Sequence, residues 1–124
     1  MTTEIPQKSW DTFCQCLKTD YHGAVTVRWI QPGSEVRVIV ENLPLQTIAF
    51  QKRTNECSDA LTVEAAEGNA RPLQHQIIEP IRLILRKKDA NGRYHELEIL
   101  AETGTTEILF VPGLEPALLD KLAA

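Results

Sequence analysis

At Gly23 the chain changes period, and that change restricts its fold more than any other feature. Before it, Trp10, Phe13, Cys14, Leu17 and Tyr21 fall at i, i+3, i+4, i+7 and i+11, one face of a helix read from Pro6 to Leu17. Ser9 or Pro6 can start that helix and His22-Gly23 end it. Beyond Gly23 the apolar residues alternate. Val25, Val27 and Trp29 form one strand, Pro32-Gly33-Ser34 a turn, and Val36, Val38 and Val40 the returning strand. Asn42-Leu43-Pro44 breaks the pattern before a third strand over residues 45–53. Leu61, Val63 and Ala65 mark a fourth.

The fifth run, "HQIIEPIRLILRKK", is interrupted by Glu79-Pro80. Leu73, His75 and Ile77 share one face before the interruption, and Ile81, Leu83 and Leu85 share one after it. Proline donates no ladder hydrogen bond, so Pro80 belongs at a bulge, an edge or a break, where a bend lets one long strand serve a curled sheet. Asn91-Gly92 is the strongest hairpin signal. A two-residue turn there places Ala90 opposite Arg93, Lys88 opposite His95 and Lys87 opposite Glu96. Leu97, Ile99 and Ala101 continue the pattern, Thr103-Gly104 turns it, and residues 107–111 close it. "EPALLDKLAA" then reads as a short helix with Pro116 in its first turn. The expectation is an α+β domain. An antiparallel meander of about seven strands curls into a sheet or small barrel, with an amphipathic helix before it and a short helix after.

At 124 residues the chain has room for one domain, 1–124, with flexible ends at 1–5 and 122–124. A net charge of −4 argues against a general nucleic-acid binder. No run approaches the roughly 20 apolar residues of a membrane span. The N-terminus lacks the pattern of a secretory signal, and three cysteines, an odd number, fit a reducing compartment, so a cytoplasmic setting is expected.

Few residues carry the pattern of chemistry. On a helix Cys14 and Cys16 point about 200° apart, and only Cys57 is left to join them, so a buried residue and an exposed thiol are a better reading than a metal or redox pair. His22, His75 and His95 are scattered; His22 lies near a helix end, where an imidazolium meets the last carbonyls favourably. Arg86, Lys87, Lys88 and Arg93 gather at one hairpin end as a candidate anion patch, although cross-strand pairing with Glu96 explains them without a ligand. Glu79, in an apolar run, could act as an acid or base with His75 or Arg82 if buried. The plainer alternative turns its carboxylate outward. No nucleophile motif, phosphate loop or dinucleotide fingerprint is present, and nothing calls for a cofactor or a metal.

Trp10-Asp11-x-Phe13, "NLPLQTIAF" and "HQIIEPIRLIL" together resemble a family of short bacterial proteins defined as a domain of unknown function. The resemblance covers about Trp10 to Val111. It implies a compact stand-alone domain and carries over no catalytic or binding residue. The expected function is therefore a non-enzymatic interaction domain, binding itself as a homodimer or another protein. One helix covers only part of the sheet's apolar surface, and Trp29, Phe110 and the valine-rich hairpin need cover too. The alternative is a small-molecule-binding barrel. Its apolar pocket would lie between the first helix and the sheet near Trp10, Trp29 and Phe50, with His75, Glu79 and Arg82 as its polar lining.

Overall fold

The computed structural model of the chain describes residues 2–55 and 58–123. Its first element is a strand, β1 (Thr3–Ile5), where a flexible end was expected. A 3-10 turn over Gln7–Ser9 leads into α1 (Trp10–Asp20), which buries Trp10, Phe13, Cys14 and Leu17 on the expected face. The indole N–H of Trp10 donates to the Ile5 carbonyl at 2.9 Å, fixing the helix start to β1. Asp11 in the first turn and Lys18 in the last complement the helix dipole. Helix α1 ends where Tyr21 turns extended, its N–H still bonded to the Leu17 carbonyl.

Seven further strands follow: β2 (Ala24–Ile30), β3 (Arg37–Gln51), β4 (Ala60–Ala65), β5 (Leu73–Ile78), β6 (Pro80–Lys88), β7 (Tyr94–Ala101) and β8 (Gly104–Leu114). With β1 they make, among the described residues, one antiparallel sheet of eight strands in the order β1-β6-β7-β8-β2-β3-β4-β5. Helix α2 (Pro116–Asp120), with Pro116 at its start, and a 3-10 turn (Lys121–Ala123) close the chain.

The count differs from seven for three physical reasons. β1 is too short for its alternation to show. The two strands expected on either side of Asn42-Leu43-Pro44 are one, because that stretch bends β3 instead of breaking it: Asn42 takes a left-handed φ of 49°. The first part of β3 pairs with β2 and the part after the bend with β4. Conversely, the long run from Leu73 to Lys88 is cut in two at Glu79, whose φ is 52° and whose N–H bonds to the Asp59 carbonyl.

The sheet is open, not a closed barrel: β1 and β5 are its two ends. It nevertheless folds back on itself. His75 of β5 sits with Nε2 3.0 Å from the Thr106 hydroxyl of β8, and its ring lies 5.2 Å from that of Trp29 on β2. The buried apolar side chains form one cluster that joins α1 to the inner face of the sheet. Trp10 meets Phe50 edge to face at 5.4 Å, and Tyr21 meets Phe110 at 5.3 Å.

Two hairpins show how turn chemistry sets register. Between β6 and β7, Asp89 rather than Ala90 closes the loop. Its N–H bonds to the Arg93 carbonyl, and its carboxylate accepts from the N–H groups of Asn91 and Arg93. Gly92 takes φ 83°, completing a three-residue loop. The expected register is therefore off by one residue: Lys88 faces Tyr94, not His95, and Arg86 faces Glu96. Between β7 and β8, Gly104 has φ 155°, and a Cβ there would lie 2.6 Å from the Ile30 carbonyl oxygen, so a side chain is excluded.

Candidate functional site

The residues expected to line a pocket do not converge. Trp29 pairs with Arg37 at the start of β3, whereas Phe50 lies near its far end, packed on Trp10. Trp10 is 2% exposed and packed in the core, and a cleft of about 340 Å³ between the start of α1 and the end of β3 is lined by Phe50 but by none of Trp29, His75, Glu79 or Arg82. Glu79 is turned outward, with 52% of its side chain exposed and an ion pair to Arg53 at 3.1 Å. Arg82 pairs with Glu4 of β1 at 2.6 Å, on the solvent side. His75 alone is partly buried, and burial holds its pKa below the ordinary value. His75, Glu79 and Arg82 thus serve three different contacts.

The basic cluster is accounted for residue by residue. Arg86 pairs with Glu98 at 3.2 Å, Lys87 with the buried Glu96 at 3.2 Å, and Arg93 with Glu115 at 3.0 Å. The ammonium of Lys88 lies 5.7 Å from the centre of the Tyr94 ring. On the same outer face Arg28 of β2 bonds Glu107 at 2.9 Å and approaches Glu96 at 3.8 Å. This is a cross-strand charge ladder whose cations face carboxylates. The thiol of Cys14 is pushed up to about 12, chiefly by burial and secondarily by Asp11, which leaves it protonated and inert. Cys16 is half-buried; Cys57 lies outside the described residues.

A cleft of about 440 Å³ opens elsewhere, between the end of α1, the end of β8 and α2. Asp20, Tyr21, His22, Pro112, Leu118 and Lys121 are among its walls. Opposite His95, β8 carries extra residues: Tyr94 faces Leu114 while Glu96 already faces Leu109. Gly113 in that bulge lies on the His95 ring, where a Cβ would come within 2.8 Å. His95 Nε2 is 2.8 Å from Asp89 Oδ2. The Tyr21 hydroxyl lies 2.7 Å from the Pro112 carbonyl and 3.0 Å from that of Ala24, and burial raises its pKa to about 12, so it stays a neutral donor. Asp20 pairs with Lys121, and Glu115 with Arg93. Most polar groups of the cleft are therefore already engaged by the protein itself. It joins residues from both ends of the chain, so no local sequence signal could reveal it.

The third feature is a sheet edge. Strand β5 has β4 on one side and ends the sheet on the other. Its six residues, Leu73 to Ile78, contain no charge and no proline, and its pairing with β4 runs without a register shift. Leu73 is 46% exposed and Ile78 47%, with exposed Ile81 just past the kink. Sequence reasoning singled out this run for Glu79 and the basic cluster; the telling signal was the uncharged stretch ahead of them.

Among the described residues no helix is long and apolar enough to cross a membrane. Comparison of the chain with protein-family models, with characterised proteins and with solved structures gave no match.

Proposed function

We propose that the chain is a small, non-enzymatic interaction domain that binds a protein by strand addition along β5. The observation that carries this reading is the unguarded β5 edge. An edge strand presents a row of backbone donors and acceptors, and proteins that leave them unused usually blunt the edge with charge, proline or bulges. An extended segment laid beside β5 would gain main-chain hydrogen bonds and cover Leu73. The odd cysteine count and the inert Cys14 fit a reducing, cytoplasmic setting, and the resemblance to short bacterial proteins agrees with a stand-alone module.

The test is a photo-crosslinking residue placed at Gln76 of β5 in cells, with Thr106 of the central strand β8, which is fully buried, as control. A discrete adduct from Gln76 that is absent from Thr106, and lost when Ile78 is replaced by Lys, is the expected result. Equal labelling at both positions, or none, would sink the proposal. The cleft by α2 supports a second reading, a small-molecule binder, because its volume lies in the range of ligand sites. Apolar compounds that raise the melting temperature, with the gain abolished by Leu118→Asp, would favour it.

A further inference from the structure

We infer that the occupant of the β5 edge is β5 of a second copy, running antiparallel with His75 at the two-fold axis. This rests on the strand-addition reading and names its partner. A two-fold axis normal to a sheet keeps each residue on its own face, so an antiparallel self-pair can be centred only on a residue. The candidates can be compared by what they place opposite what.

Centred on His75, Leu73 faces the partner's Ile77, apolar on apolar along the inner face. Gln74 faces the partner's Gln76, so the exposed amides form two equivalent side-chain pairs on the outer face. Beyond the strand, exposed Arg71 comes near the partner's Glu79, whose carboxylate Arg53 of its own chain also holds, an opposite charge at each end of the interface. The imidazole at the axis is already held by Thr106 and Trp29 of the same chain.

Shifted to Gln76, the axis sets Leu73 against the partner's Glu79 and Gln74 against the partner's Ile78. Shifted to Gln74, it sets Ile77 against the partner's Arg71 and Gln76 against the partner's Pro72. Both alternatives oppose charge with hydrocarbon. Only the His75 register matches apolar with apolar, amide with amide and cation with anion, and that self-complementarity is the argument for a second copy over an unrelated strand.

The experiment uses the purified full chain with Cys16→Ser and Cys57→Ser as background. Gln74→Cys and Gln76→Cys are made separately, then oxidised or bridged with a short bis-thiol reagent, alone and mixed. Opposed strand positions lie within disulfide reach, whereas neighbours two residues away are strained or too far. The mixture should cross-link roughly tenfold more than either variant alone. Self-cross-linking of Gln76→Cys, or of Gln74→Cys, would move the axis and overturn this register. Absence of cross-linking in all three samples, with the unmodified chain monomeric by sedimentation equilibrium at about 100 μM, would overturn the second copy (a Kd weaker than that is under about 5.5 kcal/mol). An in-cell adduct from Gln76 to a different protein would then leave strand addition standing without self-pairing.

Discussion

The guarded and unguarded edges of this sheet differ in kind. At one end β1 is three residues long, is followed at once by Pro6, and carries Glu4 in an ion pair with Arg82. Residues 37–41 of β3, which pair only with β2, form a second exposed edge. They bear Arg37 and Glu41, shift register against β2 and end at the left-handed Asn42. Strand β5 is flanked by Pro72 and the left-handed Glu79, but its own six residues carry no charge, no proline and no register shift. Brevity, proline, charge and irregularity each make strand addition unfavourable. Charge and irregularity lie within two of these edges and are absent from the length of the third, and the strand-addition proposal rests on that difference in composition.

The largest expected effect separates the two faces of β5. Ile77, 1% exposed, faces the core, and Ile77→Ala should cost about 2–5 kcal/mol in urea unfolding. Its neighbour Ile78 faces outward, and Ile78→Ala should stay within about 0.5 kcal/mol in the monomer. Equal losses would show that the outer face of β5 is packed in solution.

Next comes a guard transplanted to the open edge. Gln76→Lys sets a like charge near the axis and should weaken self-association at least tenfold, about 1.4 kcal/mol, with an unchanged melting temperature in dilute solution. Unaltered association in sedimentation would remove β5 from the interface.

A smaller effect tests the tether between β5 and β8. Burial lowers the pKa of His75 below 6.5, so the folded state favours the neutral imidazole. Stability is then complete above about pH 6.5 and is lost as pH falls through the folded pKa, because the unfolded chain takes up the proton first. The melting temperature should decline over that acid window, and His75→Gln should flatten the decline. A slope unchanged by the substitution would assign it to other groups. The smallest effect belongs to the guarded edge: Glu4→Gln removes an exposed ion pair and should alter neither melting temperature nor association measurably. New association in that variant would mean the charge was the guard that mattered.

Much of this was legible in the sequence wherever period and burial coincide. The face of α1 follows from the spacing of Trp10, Phe13, Cys14 and Leu17, and β2, β4 and β7 from strict alternation. Pro44 misled, because a proline in an apolar run reads as a stop. Here it lies at the bend where β3 passes from β2 to β4, and its carbonyl accepts the N–H of Ala66. Asn91-Gly92 signalled the hairpin correctly but not its loop length, which depends on the Asp89 carboxylate bonding two backbone N–H groups. The sites were harder to read. The cleft needs both chain ends together, and an edge becomes visible only once strand order is known.

The position of β2 has a consequence for how the protein is made. Its hydrogen-bonded neighbours are β3, which follows it directly, and β8, whose Val111 pairs with Ala24 across most of the chain. On the ribosome β2 is synthesised early and waits on the order of seconds for its second partner. Until β8 emerges the nascent meander has an additional open edge, so final closure depends on a contact of very high sequence separation. Such topologies fold in roughly milliseconds to seconds, far slower than helical bundles of similar size. The centre of the finished sheet is therefore the last part of it to be assembled.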